Sequence, residues 1–311
     1  MLLREELKFN SEHPKKDIED VENTIATMQP ASFRLKEYPE IEILEYGNPS
    51  AHPIIVFHDE LTGDAFLYHW LKNIPAVKDK RFLVILRPGY GKSKFDPNVS
   101  IKNLMADICI SLLKQLSIKE PIALLSHGNG FYFALHCGNK LGAACAHVIG
   151  ICPMLPVLSD EQIEDMPKYH RFIRSTITKS PAMGEFAIKA GYKLFCTIGP
   201  HNFAKIIYTD PHDTALLNNH DIKKALEFGA RLHGDSHQPL LQDELTVSSG
   251  WQSLLKSKLP PIHIILGQNE SQSTWKRLKP LTDNINHLSI KKGSASKLVA
   301  FNNMRILSDL I

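Results

Sequence analysis

Short apolar runs alternate with stretches of helical period along most of the chain. Ser32–Leu35 and Ile41–Tyr46 read as two early strands, the second closed by the turn Gly47-Asn48-Pro49-Ser50. Further apolar runs of four to six residues fall at 53–57, 82–86, 121–125, 148–151, 261–266 and 287–290. Such runs, near-continuously apolar, suit strands buried on both faces of a parallel sheet. Between them, helices are predicted at about 63–75 and 100–116, at Phe131–Leu141, and at Lys297–Ile311 as the closing element. Strands alternating with helices imply parallel pairing with right-handed crossovers.

Residues 154–250 interrupt this rhythm. They carry no strand pattern, and apolar side chains recur at helical spacing in Met183, Phe186, Ala190 and Leu194, with Phe203, Ile206 and Ile207 further on. This segment is expected to be a helical insertion over the sheet, with Trp251–Leu255 rejoining the core. The predicted organisation is therefore an N-terminal arm or linker helix over 1–30, core over 31–153, helical cap over 154–250, and core again over 251–311. Residues 1–30 are strongly charged and then weakly amphipathic from Asp17 to Met28. A docked arm and a linker or dimerisation helix of a longer chain are both open for them.

Composition narrows the class. With 311 residues, 43% hydrophobic and 22% charged, the chain is long enough for one large α/β domain with an insertion. A formal charge of +3, from 36 basic and 33 acidic residues, is too balanced to suggest nucleic-acid binding by field alone. No apolar run approaches the roughly 18 residues that would span a bilayer, so no membrane partner is expected. Five cysteines without paired spacing (109, 137, 145, 152 and 196) read as reduced thiols of a cytoplasmic protein.

The motif that decides the chemistry lies at 121–130, Pro-Ile-Ala-Leu-Leu-Ser-His-Gly-Asn-Gly. An apolar run ends in small-x-Gly-x-Gly and passes into a helix, a layout that resembles the nucleophile elbow of the α/β-hydrolase superfamily. Three other segments carry the resemblance in the same order. His58-Asp59 ends the run at 53–57 where that superfamily usually has His-Gly beside its oxyanion hole. Arg87-Pro88-Gly89-Tyr90-Gly91-Lys92-Ser93 is similar to the turn after its next strand. Gly267-Gln268-Asn269-Glu270 is similar to the turn that carries its catalytic acid. The resemblance covers roughly 33–311 and implies a mostly parallel, doubly wound sheet with an inserted helical cap.

Placed on that resemblance, the catalytic positions are degenerate. The nucleophile position is Gly128, which has no attacking group. Glu270 stands at the acid position, and Ser296 where a base histidine belongs. A shift of register would make Ser126 the nucleophile, but it would put the bulky Leu124 where the strained turn needs a small residue. His127 and Asn129 flank the turn, with His127 expected to pack rather than react. A carboxylate at Asp59 would repel a developing oxyanion. His58-Asp59-Glu60 is thus either a solvated loop turned outward or a polar clamp for a ligand amine or hydroxyl. His58, Asp59, Glu60, His127, Gly128 and Asn129 are the candidate ligand contacts. Cys152, at a strand end, is expected to be a buried thiol.

No metal or cofactor is predicted. His233 and His237, four residues apart, lie in a Gly/Pro-containing loop without a third ligand, and Gly89–Ser93 lacks phosphate-loop spacing. Joint loss of nucleophile and base implies a non-catalytic ligand-binding or sensory domain that takes a small apolar molecule between core and cap. Ser180-Pro181, Ala190-Gly191-Tyr192 and Gly199-Pro200 resemble hydrolase-like sensory domains of bacterial transcription regulators. That resemblance implies a DNA-binding module in a longer chain or a separate partner, and homodimerisation fits the same picture. Two alternatives stay open. One is a carboxylic-ester hydrolase with a rearranged site that uses Ser126 with Glu270 or with a cap histidine such as His201 or His233. The other is a structural or protein-interaction scaffold.

Overall fold

The structure is a computed structural model that describes residues 29–159, 162–163, 166, 168–268, 272–284, 287–293 and 298–301. One compact unit spans Ser32–Ile311. The expected N-terminal helix, Glu270, Ser296 and all but the start of the closing helix lie outside the described residues. At that start, Val299–Phe301 form a single 3-10 turn.

Eight strands form one sheet: β1 (Ala31–Arg34), β2 (Glu42–Gly47), β3 (Pro53–Phe57), β4 (Arg81–Ile85), β5 (Ile122–His127), β6 (Cys145–Ile151), β7 (Ile262–Gly267) and β8 (Leu288–Gly293). Their spatial order is β1-β2-β4-β3-β5-β6-β7-β8. β2 pairs antiparallel with β4, and every pairing from β4 across to β8 is parallel. The apolar runs read from the sequence are thus the central strands, and β3 is buried along its whole length. Successive side chains go to opposite faces. Ile55, Leu83, Leu124 and Ile264 join the main core on one face, while Ile54, Val56, Val84 and Leu125, of opposite parity, are equally buried.

Core helices α1 (Ala65–Asn73), α2 (Ile101–Gln115) and α3 (Gly130–Leu141) follow β3, β4 and β5. α2 packs beside α3, and the α1 indole Trp70 donates from Nε1 to the Ala300 carbonyl at 2.7 Å. Among the described residues, the cap between β6 and β7 contributes α4 (Lys168–Lys179), α5 (Pro181–Ile198), α6 (Pro200–Ile207), α7 (Pro211–Leu217) and α8 (His220–Ala230). Their starts follow local chemistry. Ser180 caps α5 by accepting from the Met183 amide, Asp210 caps α7 and Asn219 caps α8, and Pro181, Pro200 and Pro211 occupy first-turn positions.

The expected return to the core at 251 is not a break in the chain. α9 (Gln238–Leu255) is continuous. Its Leu240 and Leu241 pack in a cap cluster with Ile173, Ile177 and Ile188, while its Val247, Trp251 and Leu254 belong to the main core. α10 (Gln272–Asn284) then connects β7 to β8.

Core and cap are tied by ion pairs. Arg87, just past β4, holds Asp243 of α9 at 2.9 Å through Nε and 2.8 Å through Nη2, both side chains fully buried. The Tyr90 hydroxyl donates to the same carboxylate at 2.8 Å. Arg231 grips Asp64 with both terminal nitrogens at 2.7 Å.

Candidate functional site

The carboxyl ends of β3 and β5 are neighbours, with Phe57 level with Ser126. That register sets the loop His58–Gly63 beside the turn His127–Gly130. Ligand sites in open α/β sheets lie at such strand ends.

The turn has the elbow shape. Gly128 has φ +54°, the left-handed conformation expected of a nucleophile at a strand-to-helix corner. Its carbonyl accepts from the Met154 amide at 2.9 Å and from the Phe131 amide at 3.3 Å. A Cβ on Gly130 would collide with the carbonyl oxygens of Phe57 and His58, so only glycine lets the elbow approach β3 this closely.

What fills the nucleophile's place is Asp59. A Cβ built on Gly128 would overlap Asp59 Oδ2 and lie 2.8 Å from its Cγ. Asp59 Oδ1 accepts from the amides of Leu61 (3.0 Å) and Thr62 (2.8 Å) and from Thr62 Oγ1 (3.0 Å). The oxyanion position is also taken. The amide of the residue after the nucleophile normally donates to the oxyanion. Here that amide, Asn129 N–H, donates to Glu60 Oε2 at 3.3 Å.

The two acids form one buried carboxyl–carboxylate pair. Burial drives Glu60 well above the usual carboxylate range, helped by the charge of Asp59, by its bond to Asp59 and by Glu244, so Glu60 keeps its proton. Burial pushes Asp59 the same way, but His127, the Glu60 acid and the Thr62 and Leu61 amides outweigh it and hold Asp59 ionised. Burial lowers the pKa of His127 below its ordinary 6.5, against the opposing charge of Asp59. It sits against the Phe66 ring at 5.5 Å, with Nδ1 3.3 Å from Thr62 Oγ1.

The solvated-loop reading of 58–60 is overturned, since all three side chains are buried. His58 turns away from the elbow. Its Nδ1 bonds the Asp59 carbonyl at 2.9 Å and its Nε2 accepts from the Arg87 amide at 3.4 Å. Burial and the Arg87 charge keep it neutral, so it braces the loop. Ser126 donates to the Ile149 carbonyl at 3.0 Å and is fully buried, which removes it as a nucleophile facing the cleft. The cap histidines are also engaged: His233 Nε2 with the Leu61 carbonyl at 2.8 Å, and His201 Nε2 with the Leu217 carbonyl at 2.5 Å. Cys152 is buried as expected but sits at φ +42° in the cleft wall, whereas Cys196 is exposed. No group of three metal-ligating side chains occurs among the described residues.

Two clefts meet at Glu60 and Leu61. The lower one runs past Asp59, His127, Gly128, Cys152, Tyr208 and Arg277 and encloses about 520 Å3, including open solvent. The upper one lies among α4, α5, α6 and α9, encloses about 530 Å3 on the same measure, and is lined by Tyr169, Arg174, Tyr192, Phe195, Phe203 and Glu244. Both are narrow. The apolar stripe read at helical spacing faces away from the clefts: Met183 is 63% and Phe186 74% exposed, and Ala190 and Leu194 are exposed as well. The other face of α5, with Ile188, Tyr192 and Phe195, does the lining.

Arg174 and Glu244 escaped the sequence reading. Arg174 Nη2 lies 3.0 Å from Glu244 Oε2, and Glu244 Oε1 accepts from Asn129 Nδ2 at 3.0 Å. A buried polar chain therefore runs from cap helix α4 through α9 to the elbow and Glu60. The only hint in the sequence was ionic residues within otherwise amphipathic helices.

No protein-family model matches the chain, and no curated protein matches it. Solved structures do. It is similar to naproxen esterase (carboxylesterase NP) from Bacillus subtilis, at 14% identity and TM-score 0.60 over 96% of this chain and 98% of that one. It is similar to a thermophilic esterase from Thermogutta terrifontis, at 15% identity and TM-score 0.60 over 91% and 96%. Carboxylesterase CesB from Bacillus subtilis matches at 14% identity and TM-score 0.56 over 95% of each chain. Sheet order, elbow and these likenesses make the chain an α/β-hydrolase-fold protein.

Proposed function

We propose that the chain is a non-catalytic ligand-binding protein on the hydrolase scaffold, with its ligand site between core and cap. One observation carries this reading: Asp59 occupies the space of the missing nucleophile side chain while Glu60 takes the neighbouring oxyanion donor. Loss of a triad nucleophile alone costs on the order of a millionfold in turnover, and here its space and its electrostatic helper are both occupied by acids. A carboxylate at the reacting carbon's position opposes the negative charge that builds up in acyl transfer.

The test compares wild type with a cleft-filled variant. Gly191 lines the upper cleft, and a Cβ there meets the Tyr169 hydroxyl oxygen at 3.4 Å. Wild type should be silent on short p-nitrophenyl esters and take no label from a fluorophosphonate probe. It should bind small apolar fragments saturably, and Gly191→Phe should abolish that binding. Ester turnover with a labelled residue found by mass spectrometry would sink the reading in favour of the esterase alternative.

The sensory extension, with a DNA-binding module in a longer chain or a partner and a homodimeric assembly, rests on the cap resemblance. Sequencing the transcript on both sides of this segment and light scattering of the purified chain check it. A second reading, an interaction scaffold, is favoured by the narrow clefts and the exposed Met183 and Phe186. It predicts no fragment binding and no turnover.

A further inference from the structure

The upper cleft has an aromatic wall and an acidic one. Tyr169 and Phe203 meet edge to face at 5.9 Å and 87°, and Phe195 and Phe203 at 5.5 Å and 89°. Glu60 and Glu244 line the same cleft, and among its described lining residues Arg174 is the sole Lys or Arg. Arg174 is already matched by Glu244. Asp59 sits directly behind Glu60. The Tyr169 phenol registers the resulting field: burial raises its pKa first, and the charge of Glu244 raises it further. Ring faces of negative potential and the Glu244 carboxylate favour positive charge. An anion would meet the same groups as repulsion and would have to compete with Glu244 for Arg174.

We propose that this cleft takes a small organic cation, a primary amine or a methylated ammonium, seated between the rings of Tyr169, Tyr192, Phe195 and Phe203 and the carboxyls of Glu60 and Glu244. The inference rests on the ligand-binding reading above and names the class of ligand within it. Methyl groups on nitrogen supply the apolar surface for the aromatic wall, and the charge answers the acids.

The full chain is titrated by calorimetry with three probes of nearly equal shape: tetramethylammonium, tert-butanol and trimethylacetate. Tetramethylammonium should bind saturably, at least tenfold tighter than either of the others. Two variants move the charge in opposite directions, with folding checked by circular dichroism. Glu244→Gln leaves Arg174 uncompensated and should weaken tetramethylammonium at least tenfold. Arg174→Gln leaves Glu244 unopposed and should tighten it several-fold, while Tyr169→Leu should weaken it several-fold. Equal binding of tert-butanol, tighter binding of trimethylacetate, or no binding of any of the three overturns the cation assignment. In the first two cases the ligand-binding reading survives. Ester turnover with covalent labelling would instead overturn that parent reading.

Discussion

A side chain at position 128 faces two obstacles. The backbone there is left-handed, which costs roughly 1–2 kcal/mol for a residue with a Cβ. The space beyond is occupied by Asp59, whose other oxygen holds two amides and a hydroxyl. Rebuilding the serine by Gly128→Ser must therefore displace a buried carboxylate from its donors. We expect a loss of more than about 2 kcal/mol in urea denaturation, since hydrogen bonds to charged groups contribute about 1.5–3 kcal/mol each. Adding Asp59→Gly vacates the space, so the double variant should lose less than the sum of the two single ones. Additive losses would show that the two positions do not interlock. The missing side chain at 128 was legible in the sequence, because the competing register puts the bulky Leu124 where the turn needs a small residue. Its replacement was not. Asp59 is 69 residues away in the chain, and whether 58–60 faced water or the elbow depended on how β3 and β5 registered.

At the scale of elements, sheet and caps were largely legible and the facing of α5 was not. Central parallel strands announce themselves as apolar runs, and Ser180-Pro181 marks a helix start by capping chemistry. α5, however, carries apolar residues around most of its circumference: Met183, Phe186, Ala190 and Leu194 on one side, Ile188, Tyr192 and Phe195 on the other. Periodicity alone cannot choose between two apolar stripes. The choice was made by Gly184 and Gly191, where α4 comes close: a Cβ on Gly184 would crowd Ile177, and one on Gly191 meets Tyr169. Phe186→Ser should accordingly shift stability by no more than about 0.5 kcal/mol. Phe195→Ala, in a buried cluster with Phe203 and Ile207, should cost about 3 kcal/mol. Thermal melts of the pair decide it, and equal losses would mean that α5 is turned the other way. α9 carries the remaining prediction at this scale. Asp243→Asn leaves Arg87 fully buried without its counter-charge, at a cost of about 3–5 kcal/mol.

For the whole molecule, the buried titratable groups set how stability responds to pH, and the two sides of neutrality have different sources. His58, His127 and His233 are held below the ordinary 6.5 chiefly by burial. On acidification the unfolded chain takes up those protons first, so stability falls as pH drops below about 6.5. Asp59, depressed below 3.8, adds a further loss at still lower pH. Glu60 acts in the opposite sense. Its folded form keeps a proton that the unfolded chain releases above 4.5, so its contribution is lost as pH rises from there toward its elevated folded value. Each unit of separation is about 1.36 kcal/mol. Glu60→Gln keeps a neutral donor beside Asp59 and has nothing to titrate. Urea midpoints from pH 5 to 9 should then show the variant gaining on wild type as pH rises toward the folded value of Glu60, while the loss that the histidines cause below about pH 6.5 is present in both. A constant difference between the two curves would mean that Glu60 is ionised in the folded protein. The elbow would then hold two adjacent carboxylates, and the acid pair could not be what closes the catalytic position.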